Sequence, residues 1–206
     1  MRKFTSYGPI NRKIHYHVPR EELINKAHQQ LTGEIIEEGG HYITVWAPRQ
    51  TGKTGVLQQV LWRLQKDERF DVLKINVQSL RTEEEIEGVI DNLVMKISRG
   101  LGIEKSEIQN CKEFEDFFTS QYLKKPLILI IDEFDALNDS IINKMADIFR
   151  NLYVNRNDES ATKEKIYLLH GVALIGIRSV LGIENKQGSP FNVQRSIHVP
   201  NLTKPE

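Results

Sequence analysis

Four residues have the types and spacing to do chemistry together: Lys53, Thr54, Asp132 and Glu133. The first two close the segment Ala47-Pro48-Arg49-Gln50-Thr51-Gly52-Lys53-Thr54, with Gly55 behind it. A loop of this composition suits an oxyanion cradle. Successive backbone N–H groups wrap phosphate oxygens, and the helix that starts there adds its positive end. Gly52 permits the backbone conformation and a close approach. Lys53 sets a cation on the outer phosphates, and the Thr54 hydroxyl is a hard oxygen for Mg²⁺. The residues expected to line the cradle are Pro48, Arg49, Gln50, Thr51, Gly52, Lys53, Thr54 and Gly55.

The acids follow the apolar run Leu127-Ile-Leu-Ile-Ile131. A buried strand would deliver Asp132 to the carboxyl edge of a sheet, where ligands bind in open α/β folds. There Asp132 can hold a water of the Mg²⁺ across from Thr54. Glu133 can orient and deprotonate an attacking water, with the metal and Lys53 neutralising charge on the γ-phosphate. The loop fits the Walker A pattern, with alanine in place of the first glycine, and the acids fit Walker B. A plain glycine turn and two solvated acids would look alike one at a time. The strand before the loop, the amphipathic stretch after it and the pairing of the two motifs argue for a nucleotide site.

The elements that must position these residues are written in the apolar spacing. Arg20 to Leu31 carries Leu23, Ile24, Ala27 and Leu31 on one helical stripe, with Gly33 placed to end it. His41–Trp46 alternates as a strand, and the helix after the loop turns Val56, Leu57, Val60, Leu61 and Leu64 inward. Phe70–Val77 is a second strand. Thr82 to Glu85 predicts a capping box ahead of a helix with Ile86, Val89, Ile90, Leu93, Val94 and Ile97 on one face. A helix over about Lys112–Leu123 buries Phe114, Phe117 and Phe118. Pro126 opens the third strand, and Ile141–Tyr153 is helical. Asn155–Glu164 is polar and aperiodic, as a mobile loop would be. Ile166–Ile175 and Val193–Val199 supply two further strands. Strands alternating with helices predict an α/β fold with a mainly parallel sheet of about five strands.

Composition sets the outer bounds. The chain has 206 residues, 39% apolar and 27% charged, enough for one sizeable core. Lys plus Arg is 28 and Asp plus Glu is 28, so global charge does not recruit nucleic acid or membrane. The single Cys111 excludes an internal disulfide framework. No apolar run approaches the length of a membrane span. A soluble, cytoplasmic chain is expected. His15 and His17 have the spacing of metal ligands on a strand, but no third ligand is identifiable.

One additional strand lies between the two motifs, and a glutamate directly follows the Walker B aspartate. Those features mark the ASCE division of P-loop NTPases, a three-layer fold. The chain resembles AAA+-type ATPase domains near the STAND and archaeal-ATPase groups. More closely, it is similar to bacterial AAA-like proteins with a Gly-Pro…His-Tyr-x-x-Pro opening before the loop, here Gly8-Pro9, His15-Tyr16 and Pro19.

The resemblance implies ATP as ligand and substrate, Mg²⁺ as cofactor, and further site residues. Relatives line the adenine pocket with a hydrophobic-Gly-Arg-Glu segment. This chain has Val18-Pro19-Arg20-Glu21, with proline for glycine. Val18 and Pro19 either face the base or simply start the Arg20 helix. Arg178 falls where relatives carry a sensor of the γ-phosphate, or else is a surface arginine. Arg195 stands where some AAA+ proteins complete a neighbour's site, or else merely enters the last strand.

The implied organisation is an irregular arm over 1–19 that helps form the pocket, an ATPase core over 20–202, and the start of a helical lid at 203–206. Three functions are open: an ATPase whose hydrolysis drives conformational change or assembly, a slow nucleotide switch that recruits protein partners or a second copy, and a DNA-engaging, origin-recognition-like ATPase.

Overall fold

Apolar spacing and turn chemistry decide where the backbone goes, and a computed structural model shows the result for residues 3, 14–16, 18, 20–48, 51–156, 166–176 and 194–201. Helix α1 spans Glu21–Thr32 and ends on Gly33, whose N–H bonds the Gln29 carbonyl. Strand β1 is Tyr42–Trp46, α2 is Lys53–Leu64 and β2 is Asp71–Asn76. Helix α3 covers Ile86–Leu101 and α4 covers Cys111–Phe117. Strand β3 is Leu127–Asp132, α5 is Asp139–Arg156, β4 is Leu169–Gly176 and β5 is Gln194–His198. The five strands form one parallel sheet in the order β2-β3-β4-β1-β5.

The sheet divides two apolar layers. Leu127, Leu129 and Ile131 of β3 pack with α3, α4 and α5, while Ile128 and Ile130 point to the layer of α1 and α2. All five are fully buried, as a central parallel strand requires. The α2 residues expected inward are buried, as are Phe114, Phe117 and Phe118. No helix among the described residues is long and apolar enough to cross a membrane.

Three local expectations are corrected. The capping box is not at Thr82–Glu85: Glu85 is itself the extended N-cap residue of α3 and makes no side-chain cap bond. The reciprocal pattern occurs instead at α4, where the Glu113 N–H donates to Asn110 Oδ1 and Asn110 Nδ2 donates to Glu113 Oε1. Helix α4 stops at Phe117 and does not run on to Leu123, because Thr119 bridges Tyr167 and the Ser120 N–H donates to the Ile166 carbonyl. Asn155 and Arg156 belong to α5 and not to a loop. The Arg156 guanidinium explains this by donating to the carbonyls of Gly40, Leu169 and His170.

The far end of α1 is docked against the amino ends of β1 and β4. The His41 N–H donates to Gln30, and His170 Nε2 lies 2.9 Å from the Thr32 carbonyl. Gly40 and Gly171 admit the helix end: an added Cβ would come within 1.9 Å and 2.6 Å of the Leu31 carbonyl oxygen. Burial pushes the His170 pKa down, partly offset by its hydrogen bond to Thr32.

Two outcomes follow from this docking. Gly40→Ala overpacks the helix end and should cost about 1–3 kcal/mol in urea unfolding. Neutral His170 contributes stability that is complete above its unfolded pKa of about 6.5 and is lost as the pH falls toward the depressed folded value. Unfolding free energy measured from pH 7.5 to 5 should therefore decline, and less steeply in His170→Asn than in the parent.

Candidate functional site

The loop after β1 and the acids at the end of β3 meet at one edge of the sheet because every strand points the same way. Strand β4 lies between them, pairing Trp46 with Gly176 on one side and Ile131 with Leu174 on the other. At a strand spacing of about 4.8 Å, the two chain segments leave the sheet roughly 10 Å apart.

On the loop side, the Thr51 hydroxyl donates to the Pro48 carbonyl at 3.0 Å and is buried. Gly52 has φ 83 and ψ 11, a left-handed conformation that glycine takes without steric penalty. Nothing lies within 4 Å of where its Cβ would stand, so among the described residues the backbone shape, not crowding, calls for glycine. The Gly55 and Val56 N–H groups return to the Gly52 carbonyl and start α2. Lys53 Nζ donates to the Gly176 carbonyl at 3.0 Å, tying the loop's cation to the end of β4. Thr54 is exposed in the first turn of α2, and Gly55 is half-buried.

On the acid side, the alternation of β3 turns Asp132 toward the α2 layer, in the same direction as Ile128 and Ile130. Its Oδ1 accepts the Glu133 N–H at 3.1 Å, and its Oδ2 is ion-paired with Lys74 Nζ at 2.8 Å. Glu133 has φ 58 and ψ 37 and is the one left-handed non-glycine among the described residues. This conformation turns the chain out of the sheet into the short 3-10 segment Phe134–Ala136. Asp135 in that segment packs on Gly176, where an added Cβ would approach its carboxyl carbon to 2.8 Å.

The structure thus gathers Thr51, Gly52, Lys53, Thr54, Asp132 and Glu133 at the carboxyl edge. Arg49, Gln50, Pro19, Arg178, His17 and the segment 203–206 lie outside the described residues, as does most of the arm. Val18 is half-buried. Arg20 beside it donates to the Pro200 carbonyl at 2.5 Å, joining the start of α1 to the exit of β5. Arg195 is within β5, its Cα in register with Ile43, and does not precede the strand.

Lys74, Gly176 and Asp135 also stand at this edge, outside both motifs. Lys74 had a local signal: it is a cation among Val72, Leu73 and Ile75 in a strand next to the acidic one. Gly176 had a weaker one, as the glycine that closes an apolar strand.

No curated protein sequence matches the chain significantly. Solved structures match its fold. Orc1 of Aeropyrum pernix in complex with DNA has a TM-score of 0.60 at 15% identity, covering 90% of this chain and 46% of that one. A chain of the Drosophila ORC bound to DNA has a TM-score of 0.59 at 12% identity, covering 91% of this chain and 44% of that one. Cdc6p of Pyrobaculum aerophilum has a TM-score of 0.52 at 19% identity, covering 86% of this chain and 44% of that one. This chain therefore spans less than half the length of those proteins. A family model for the AAA-like domain matches residues 8–206, nearly the whole sequence. The chain belongs to the AAA-like domain family and is an AAA+-type P-loop ATPase domain.

Proposed function

We propose that this domain binds ATP at the carboxyl edge of its sheet and hydrolyses it, coupling turnover to conformational change or assembly with a protein partner or a second copy. The observation that supports it most is the insertion of β4 between β1 and β3. It sets the Lys53–Thr54 loop and the Asp132–Glu133 pair on either side of Gly176.

In this reading the loop N–H groups and the start of α2 hold the phosphates. Lys53 exchanges the Gly176 carbonyl for β- and γ-phosphate oxygens, a stronger, charge-assisted contact. Val18 and Pro19 lie against the adenine, and Arg178 forks onto the γ-phosphate as its sensor. An alcohol oxygen and a largely buried carboxylate are the hard donors a small divalent cation takes, so Thr54 and Asp132 fit Mg²⁺. When bound, Mg²⁺ neutralises charge that grows on the phosphates during transfer. Glu133 orients a water and accepts its proton as the water oxygen bonds to the γ-phosphorus. The bond from that phosphorus to the ADP oxygen breaks, and ADP and phosphate leave.

A slower nucleotide switch has its own support. Lys53 and Asp132 are each engaged by protein groups, Gly176 and Lys74, so ligand binding entails an exchange of contacts that can bias two conformations. DNA engagement has the fold likeness behind it, while the balance of 28 basic and 28 acidic residues adds no attraction.

Two substitutions test the site. Lys53→Ala should weaken ATP binding by roughly 100-fold or more in calorimetry, as loss of a charge-assisted phosphate contact in a low-dielectric site predicts. Glu133→Gln should bind ATP within about threefold of the parent and release phosphate about 10²–10⁴ times more slowly, the usual range for removing a general base. Unchanged turnover in that variant removes Glu133 from the base role. Mg²⁺ removal by EDTA should stop phosphate release in the parent. Assembly on ATP without turnover selects the switch.

A further inference from the structure

Strand β2 carries a lysine where its neighbours are apolar. The Cα of Lys74 is in register with Ile130, and that of Asn76 with Asp132. Lys74 and Asp132 are therefore diagonal neighbours on one face of adjacent strands, within reach of a long side chain. That face packs against α2 through Ile128, Ile130 and the edge of Val72. The ammonium is not turned out to water. Its side chain is 22% exposed and that of Asp132 is 12% exposed, and the pair closes at 2.8 Å. With the Glu133 N–H on Oδ1, each oxygen of the carboxylate has a donor. The acid at the end of the buried strand is thus compensated by the protein itself.

A carboxylate oxygen facing an ammonium at hydrogen-bond distance cannot turn the same lone-pair direction to a hydrated dication, and the two cations repel. The lysine has a way out. Its flexible stem and partial exposure let the ammonium withdraw into water, which the rigid fork of an arginine would resist.

We propose that Lys74 is the resident counter-ion of Asp132, and that a divalent cation reaches this carboxylate by exchange with the ammonium. Lys74 thereby sets the metal concentration at which the nucleotide site fills. The inference rests on reading this edge as an ATP–Mg²⁺ site, and goes beyond it by naming a residue outside both motifs that tunes metal loading. It gives β2, which contributes no group to the phosphates, a part in the site. Lys74 acts through Asp132 and is a positioning residue.

The test uses Mn²⁺ as the probe, its free concentration read by electron paramagnetic resonance, with the whole chain and saturating ADP. Lys74→Met keeps the length of the stem and removes the charge. Lys74→Gln also removes the charge but leaves an amide donor for Asp132, protecting the fold, and Lys74→Arg keeps the charge. A fluorescent ADP analogue titrated in EDTA on the same samples reports nucleotide binding without metal.

Exchange predicts that both neutral variants half-saturate at roughly tenfold lower Mn²⁺, the scale of one removed like charge at close range. It predicts that Lys74→Arg needs as much Mn²⁺ as the parent or more, and that ADP binding in EDTA is unchanged throughout. Neutral variants that bind Mn²⁺ no better than the parent overturn the exchange and leave Lys74 as a purely structural partner. A parent that binds no ADP in EDTA or with Mn²⁺ refutes the nucleotide reading, and the exchange with it. A parent that binds ADP while the Mn²⁺ curves coincide refutes the exchange alone.

Discussion

The Gly176 carbonyl is the point on which the site depends. It ends the strand that separates the loop from the acids, and it accepts Lys53 Nζ at 3.0 Å and the Ala47 N–H at 3.4 Å. Because β4 is hydrogen-bonded to both β1 and β3, any slip in its register would move the loop and the acid pair relative to each other. A one-residue slip would also turn Val172 and Leu174 out of one apolar layer and Ala173 and Ile175 out of the other. The same burial that stabilises the sheet therefore fixes the spacing of the site. A side chain at Gly176 would have to displace the Asp135 carboxyl, which lies against it from the turn after β3.

Charge at this edge is arranged in compensated steps. Lys74 answers Asp132, and a main-chain carbonyl holds Lys53. The contact to the neutral carbonyl is the weaker of the two, because a carbonyl offers a dipole where the Asp132 carboxylate offers full charge. The opposite edge is built on different terms. There Arg156 saturates three main-chain carbonyls and lies over the rings of Tyr42 and Tyr153, and His170 and two close glycine contacts seat α1. One end of the sheet is closed by helix α1 and Arg156, and the other carries the polar contacts of Lys53 and Asp132. That polarity is what a ligand-binding α/β fold needs.

Much of this was legible in the sequence, for reasons that differ by residue. Helices α1, α2 and α3 and the run Leu127–Ile131 announced themselves because burial imposes a period on adjacent residues. Lys53, Thr54, Asp132 and Glu133 were readable because each pair is contiguous and follows a strand. Element ends were harder. The stop of α4 at Phe117 is made by partners far along the chain, Ile166 and Tyr167. Lys74 showed locally only as a cation within an apolar strand. Its meaning comes from the β2–β3 register, which no local window contains. The left-handed turn at Glu133 was invisible because a glutamate carries no signal for positive φ.

That turn has a consequence for how the domain can change over generations. Glycine, and to a lesser degree asparagine, would occupy position 133 with less strain, by about 1 kcal/mol where glycine removes the Cβ contact. Drift judged on folding alone would favour those residues and discard the acid. On the proposed reading of Glu133 as the base, a glutamate in so unfavourable a backbone position sets stability and chemistry in opposition at a single residue. Thermostabilised descendants of this domain would therefore be expected to lose Glu133 early unless turnover is selected with them.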